Sequence, residues 1–186
     1  SIAGAEGNDY LRGGDGVDLI VGMDGNDDIN GNKGNDNLGG GNGDDWVVGG
    51  QDDDFLTGGE GFDIVYGNLG NDIARGENGN DWVRGGQGDD VVEGGDGNDW
   101  LWGDRGSDTL TGGAGADIFH SFSGTGSDRI TDFNYAQGDR VILDDRTAFA
   151  LSQVGSDTLI LIGGVDQVVL AGVTASGLAA DAVAYA

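Results

Sequence analysis

The stretch GGQGDDVVEGGDGNDWLWG, residues 85–103, holds two copies of a nine-residue unit, G-G-x-G-x-D-x-U-x with U apolar, and the first glycine of a third. Read outward in both directions, the unit repeats thirteen times without insertion from Gly4 to His120. Its first position is always glycine: Gly4, Gly13, Gly22, Gly31, Gly40, Gly49, Gly58, Gly67, Gly76, Gly85, Gly94, Gly103 and Gly112. Its sixth is always aspartate: Asp9, Asp18, Asp27, Asp36, Asp45, Asp54, Asp63, Asp72, Asp81, Asp90, Asp99, Asp108 and Asp117. The fourth is glycine except at Asp52, and the eighth is apolar throughout, smallest at Ala74.

This pattern divides each unit into a turn and a short strand. Glycines at positions one, two and four permit positive-φ conformations, so the first six residues can bend tightly with their carbonyls turned one way. The last three alternate out-in-out, with position eight inward. A single unit cannot bury its apolar residue, whereas units stacked in register can. Two turns and two strands per coil predict an all-β, right-handed parallel roll of about six and a half coils, roughly 30 Å long at ~4.8 Å per strand pair.

Composition says what such a roll needs. The 186 residues include 41 glycines, no proline and no cysteine, and 34 acidic against 8 basic residues give a net charge of -26. Self-repulsion and the backbone entropy of glycine both oppose folding of the bare chain. Nucleic acid and anionic membranes would be repelled, no apolar run is long enough to span a bilayer, and without cysteine there is neither a disulfide framework nor a thiolate site. The natural partner is a cation. Oxygen ligands from carboxylates and glycine-turn carbonyls suit calcium, which takes six to eight oxygens; magnesium demands a tighter octahedron and zinc prefers nitrogen or sulfur. The chain also lacks the D-x-[DN]-x-[DN]-G run and terminal glutamate of an EF-hand.

The thirteen units resemble the RTX calcium-binding parallel β-rolls of exported toxins, proteases, lipases, adhesins and alginate epimerases. The resemblance covers residues 4–120 and implies a ligand set. In the family each ion sits between one turn and the next on the same edge. It is held by the position-two and position-four carbonyls and the aspartate of one turn, and by the position-one and position-three carbonyls and the aspartate of the other. Carried over, Gly86, Gly88 and Asp90 would join Gly103, Arg105 and Asp108. All thirteen aspartates would serve. Position-one carbonyls would come from Gly22, Gly31, Gly40, Gly49, Gly58, Gly67, Gly76, Gly85, Gly94, Gly103 and Gly112. Position-four carbonyls would come from Gly7, Gly16, Gly25, Gly34, Gly43, Gly61, Gly70, Gly79, Gly88 and Gly97. Thirteen turns paired two apart imply about eleven shared calcium sites, whose charge would nearly cancel the 26 acidic and 5 basic residues of positions 1–120. Asp52 is expected to leave its site functional but perturbed.

Positions seven and nine point outward, and alternate repeats populate opposite faces. All four tryptophans, Trp46, Trp82, Trp100 and Trp102, fall on one face with Tyr66 and Arg84. Exposed apolar patches of this extent usually mark contacts. Two readings stay open: a docking surface for a glycan or partner protein, or a face covered by an upstream domain or by residues 121–186. A flat threonine array, which an ice-binding roll would need, is absent.

Beyond His120 the repeat frame ends, and strand-like runs at 128–133, 140–143, 158–162 and 167–170 are separated by turns such as Gly163-Gly164. The stretch SGTGSDRITDFNYAQGDRVIL (123–143) resembles the segment that closes the roll in serralysin-type proteins with antiparallel strands. Residues 121–186 therefore read as a capping segment, and the terminal SGLAADAVAYA as similar to a type I export signal or as an ordinary last strand or short helix. The chain begins inside a repeat with no signal-peptide pattern and is read as a piece of a longer, secreted protein, with an upstream domain and the type I exporter as partners. One histidine, His120, and no H-E-x-x-H motif give no catalytic constellation. The expected function is a non-catalytic calcium-binding module that folds outside the cell.

Overall fold

A computed structural model describes residues 1–186 apart from Ser123, Asp145, Thr147 and Val165. Among the described residues there are twenty strands, one 3-10 turn at Ala175–Gly177 and no α-helix. Strands β1 (Ile2–Glu6), β3 (Leu19–Asp24), β5 (Asn37–Asn42), β7 (Phe55–Glu60), β9 (Ile73–Asn78), β11 (Val91–Asp96) and β13 (Thr109–Ala114) stack in parallel as one sheet. Strands β2 (Tyr10–Asp15), β4 (Asp28–Lys33), β6 (Trp46–Gln51), β8 (Ile64–Leu69), β10 (Trp82–Gln87), β12 (Trp100–Arg105) and β14 (Ile118–Ser121) form the second. Register follows the repeat: β10 meets β12 through Trp82 and Trp100, Val83 and Leu101, Arg84 and Trp102, and Gly86 and Asp104.

Strands β2 to β13 are each six residues long, where the sequence reading allows three. Pairing runs on through positions one to three of the next unit, so only positions four to six form the corner. The position-eight column is the core, with Ile20, Ile29, Leu38, Val47, Leu56, Val65, Ala74, Val83, Val92 and Leu101 fully buried between the two sheets.

The glycines have two different causes. At positions two and four φ is positive in every repeat, and all seven non-glycine residues with positive φ (Ala5, Met23, Asn32, Asp52, Asn68, Glu77 and Asp104) occupy these positions. Position one is different. Its φ is ordinary, but a Cβ on Gly76 would lie 2.7 Å from the Gly94 carbonyl oxygen and 2.8 Å from Asp81 Cβ. Space, not backbone conformation, fixes that glycine. Gly76→Ala is therefore expected to destabilise the calcium-loaded roll by about 1–3 kcal/mol. Glu77→Gly, one residue on, is expected to be neutral or to stabilise by under about 1 kcal/mol through relief of φ 78°. Urea unfolding in saturating calcium measures both; equal effects would contradict the distinction.

The parallel stack does not stop at His120. Residues 124–131 reproduce the unit, with Gly124 and Gly126 at positions two and four, Asp128 at six and buried Ile130 at eight. Two additional residues, Ser121 and Phe122, displace this fourteenth repeat from the frame. Its strand β15 (Ser127–Ile130) pairs with β13, placing Ile130 beside Leu110. Strand β16 (Arg140–Leu143) pairs in parallel with β14. The roll thus has eight full coils rather than six and a half.

The expected antiparallel closure holds only in part. After β16, the hairpin β17 (Phe149–Val154) and β18 (Asp157–Ile162) leads into β19 (Asp166–Leu170), and these three strands are antiparallel to one another. Both β19 and β20 (Val183–Tyr185) rejoin the roll in parallel, against β15 and β16. Ile160, Ile162 and Leu170 extend the core into this cap. The stretch read as 123–143 begins at Ser123, which lies outside the described residues.

Candidate metal centre

The corners of the coils stack into two rows. In each, the backbone N–H of an aspartate donates to Oδ1 of the aspartate one coil on: Asp63 to Asp81 at 2.9 Å and Asp81 to Asp99 at 2.8 Å in one row, Asp72 to Asp90 and Asp90 to Asp108 at 2.8 Å in the other. The residues grouped by the sequence reading lie together. Gly88 N–H donates to the Arg105 carbonyl at 2.9 Å, Gly86 pairs with Asp104, and a Cβ on Gly103 would lie 2.7 Å from Asp108 Cβ. The same contacts recur along the roll for the other aspartates and their glycines, from Asp9 and Gly7 to Asp117 and Gly112.

The second carboxylate oxygen has no partner. In twelve of the thirteen repeat aspartates, all but Asp18, Oδ2 is buried and makes no hydrogen bond. Buried acceptors of one sign without donors are costly unless a cation or a proton joins them. Burial accordingly pushes Asp54, Asp63 and Asp90 up to about 7, with repulsion from the aspartates of adjacent coils adding and the incoming N–H opposing. Asp45, Asp81 and Asp99 rise to about 6, again mainly by burial.

The sign of the pH effect follows. Without metal, the folded state holds protons that the unfolded chain has released, so its stability falls as pH rises from about 4 to about 7. In chelator, folded content measured by circular dichroism should therefore be greater at pH 5 than at pH 8. In calcium the order reverses, because protons compete with the ion for the same oxygens. A pH-independent signal in chelator would contradict this account of the rows.

Among the described residues no three carboxylate, imidazole or thiol groups converge on one point. Each corner offers one carboxylate beside backbone carbonyls, oxygen donors of the kind calcium takes, where zinc prefers nitrogen or sulfur. The orphaned Oδ2 rows, lined by inward-facing turns, suit a hard cation of large radius.

Sequence reasoning missed two members. Asp108 N–H donates to Asp128 Oδ1 at 3.3 Å, and Asp117 N–H to Asp139 Oδ1 at 3.1 Å, so both rows continue past the last in-frame repeat. Their spacings of 20 and 22 residues hide them from a strict period. The detectable signal is the triplet Asp-x-apolar, in Asp128-Arg129-Ile130 and Asp139-Arg140-Val141, with Ile130 and Val141 both buried. Asp139 Oδ2 accepts from Asn134 N–H at 2.8 Å, which closes that row with a backbone donor. At Asp52 the left-handed conformation is kept (φ 76°), but the bond that Gly34 and Gly70 make to the next coil has no counterpart from Asp52 N–H. The carboxylate row passes it intact, with Asp36 to Asp54 at 2.8 Å.

On the outer face of the second sheet, Trp46, Trp82 and Trp100 are 54%, 44% and 39% exposed and share one column with Ile64. Trp82 and Trp100 stack at 5.7 Å between ring centroids, and Trp102 lies 4.3 Å from the His120 ring. His120 Nδ1 is 2.6 Å from Asp144 Oδ1 and its Nε2 is buried without a hydrogen-bond partner. Arg84 lies over Tyr66 and grips Asp104 with two nitrogens. Residues 121–186 reach this face through Phe122 and Asp144 and leave the three exposed indoles uncovered.

Stacked glycine corners carrying two carboxylate rows define a β-roll built of metal-binding repeats. The sequence profile described as RTX calcium-binding nonapeptide repeat (4 copies) matches residues 3–38, 39–74, 57–92, 66–101 and 93–130, and the chain belongs to that family of calcium-binding repeats. A comparison with curated protein sequences gives no match. Among solved structures, the extracellular lipase LipA from Serratia marcescens is similar, with a TM-score of 0.43 and 18% identity over 87% of this chain. This chain spans 40% of the lipase. The AlgE6R3 subunit of the Azotobacter vinelandii mannuronan C5-epimerase is similar with a TM-score of 0.42 and 28% identity, over 72% of this chain and 77% of that one.

Proposed function

We propose that this chain is the non-catalytic, calcium-folded module of a secreted protein. One observation carries the reading: the rows of buried, unpartnered Oδ2 atoms, which a folded chain of charge -26 cannot sustain without counter-ions. The ligands of each ion are the aspartates of two consecutive coils and the carbonyls at positions two and four of one turn and one and three of the other. Asp128 and Asp139 extend the set, raising the count from about eleven sites to about thirteen. Calcium supplies the charge and the oxygen-coordinating bonds; the chain supplies a stack of preformed corners.

Extracellular calcium modules bind at about 10⁻⁴–10⁻³ M, far above the cytosolic range, so the chain stays unfolded inside and folds once exported. Residues 121–186 close the roll and carry the type I export signal. The tail SGLAADAVAYA is available to an exporter only while unfolded, because Ala182 and Val183 become buried when β20 forms. The service to an attached upstream domain is nucleation of its folding. A role without catalysis is supported by His120, whose imidazole is engaged by Asp144 and covered by Trp102.

Native mass spectrometry of the chain in calcium tests the site assignment. About thirteen bound ions are expected. A count of two or three would overturn the shared-row arrangement.

A further inference from the structure

We infer that the outer face of the second sheet is a binding trough for a neutral oligosaccharide, a site beyond the calcium function. Two adjoining cavities, about 410 and 520 Å³, share Tyr66, Arg84, Asp104 and Phe122 and so form one trough across neighbouring coils. The first is walled by Tyr66, Trp82 and Trp102. Phe122, one of the two residues inserted before the fourteenth repeat, lines both cavities. The paired Arg84 and Asp104 line both as well. Asp104 is only 7% exposed and sits at position two with φ 70°, a conformation that favours the glycine found there in most repeats. The second cavity is edged by the amides of Asn32, Gln51, Asn68 and Gln87.

This combination selects a ligand class. Indole and phenol faces attract the C–H side of a pyranose ring, while amides each donate and accept, matching hydroxyls that do the same. The planar Arg84–Asp104 fork presents donors beside acceptors, suited to vicinal hydroxyl pairs. A lipid chain would leave the amide side unpaired, and the charges lining the trough, Lys33, Arg84 and Arg105 against Asp104 and Asp144, nearly balance, which leaves little field to hold a polyanion. Coils advance by ~4.8 Å, close to the length of one pyranose unit, so a sugar chain lying along the roll axis meets one coil per ring. Trp46, in column with Ile64 and Trp82, continues the line beyond the trough.

The test is a tryptophan-fluorescence titration of the calcium-loaded chain with cellohexaose, mannohexaose, maltohexaose and N-acetylated chitohexaose, with a uronate hexamer as the charged control. At least one neutral hexasaccharide should give a saturable change that the uronate does not. Trp82→Ala should weaken that binding about tenfold or more, as loss of an aromatic anchor does, and Gln87→Ala several-fold. Asn37→Ala on the opposite sheet should leave it unchanged, and circular dichroism on the same samples monitors the fold. No saturable response to any neutral hexamer, preference for the uronate, or binding insensitive to both Trp82→Ala and Gln87→Ala would overturn the inference.

Discussion

In chelator at neutral pH the chain should give the far-UV circular dichroism of an unfolded polypeptide, and added CaCl₂ should restore β structure cooperatively at about 10⁻⁴–10⁻³ M while MgCl₂ does not. Twelve carboxylate oxygens are buried without donors in the folded roll, and neutral pH removes the protons that could otherwise occupy them. The hydrophobic column offers one position-eight side chain per nine residues, a thin core for a chain with 41 glycines to restrict. Binding energy is then folding energy. A chain already folded at neutral pH in chelator would mean that the core and the backbone ladders suffice, and calcium would lose its role as the trigger.

Asp81→Ala should have the largest effect of any single substitution. It removes the acceptor of Asp63 N–H and leaves that buried donor unpaired, a cost of about 1–3 kcal/mol by itself. It also removes a carboxylate shared by the sites on either side. Calcium stoichiometry should fall by two, the midpoint should rise several-fold, and the titration should become less steep, because a central defect separates two blocks of coils. Asp9→Ala, at the end of the same row, should cost one ion and leave the steepness nearly unchanged. Equal losses from both variants would show that the sites do not share aspartates.

The nine-residue frame made most of this legible. Position eight as the core, position six as the carboxylate row and the sequestering of all four tryptophans on one face follow from counting alone. The causes were less visible than the pattern. Glycine at position one reads like glycine at position four, yet one is fixed by the Asp side chain folded over it and the other by positive φ. A strict period also cannot see past an insertion. The insertion falls where β14 ends, with Ser121 buried and paired to Leu143 and Phe122 following it, which leaves Ile130 still stacked on Leu110 while moving Asp128 out of phase. Strand β17 gives no alternating signal because its residues are mostly exposed; it exists through pairing with β18. The trough depends on Phe122 and on Asp104, neither of which occupies a distinctive position in the repeat.

Every repeat aspartate is wired one coil forward, and no hydrogen bond of the rows skips a coil. Such an object has no privileged middle. Its length can change by whole coils without a gap to close, and a pull along its axis is carried by many short links side by side, coil after coil. The two inserted residues before the fourteenth repeat show the tolerance of that wiring: the chain can take in two residues where a strand ends while the rows behind it run on.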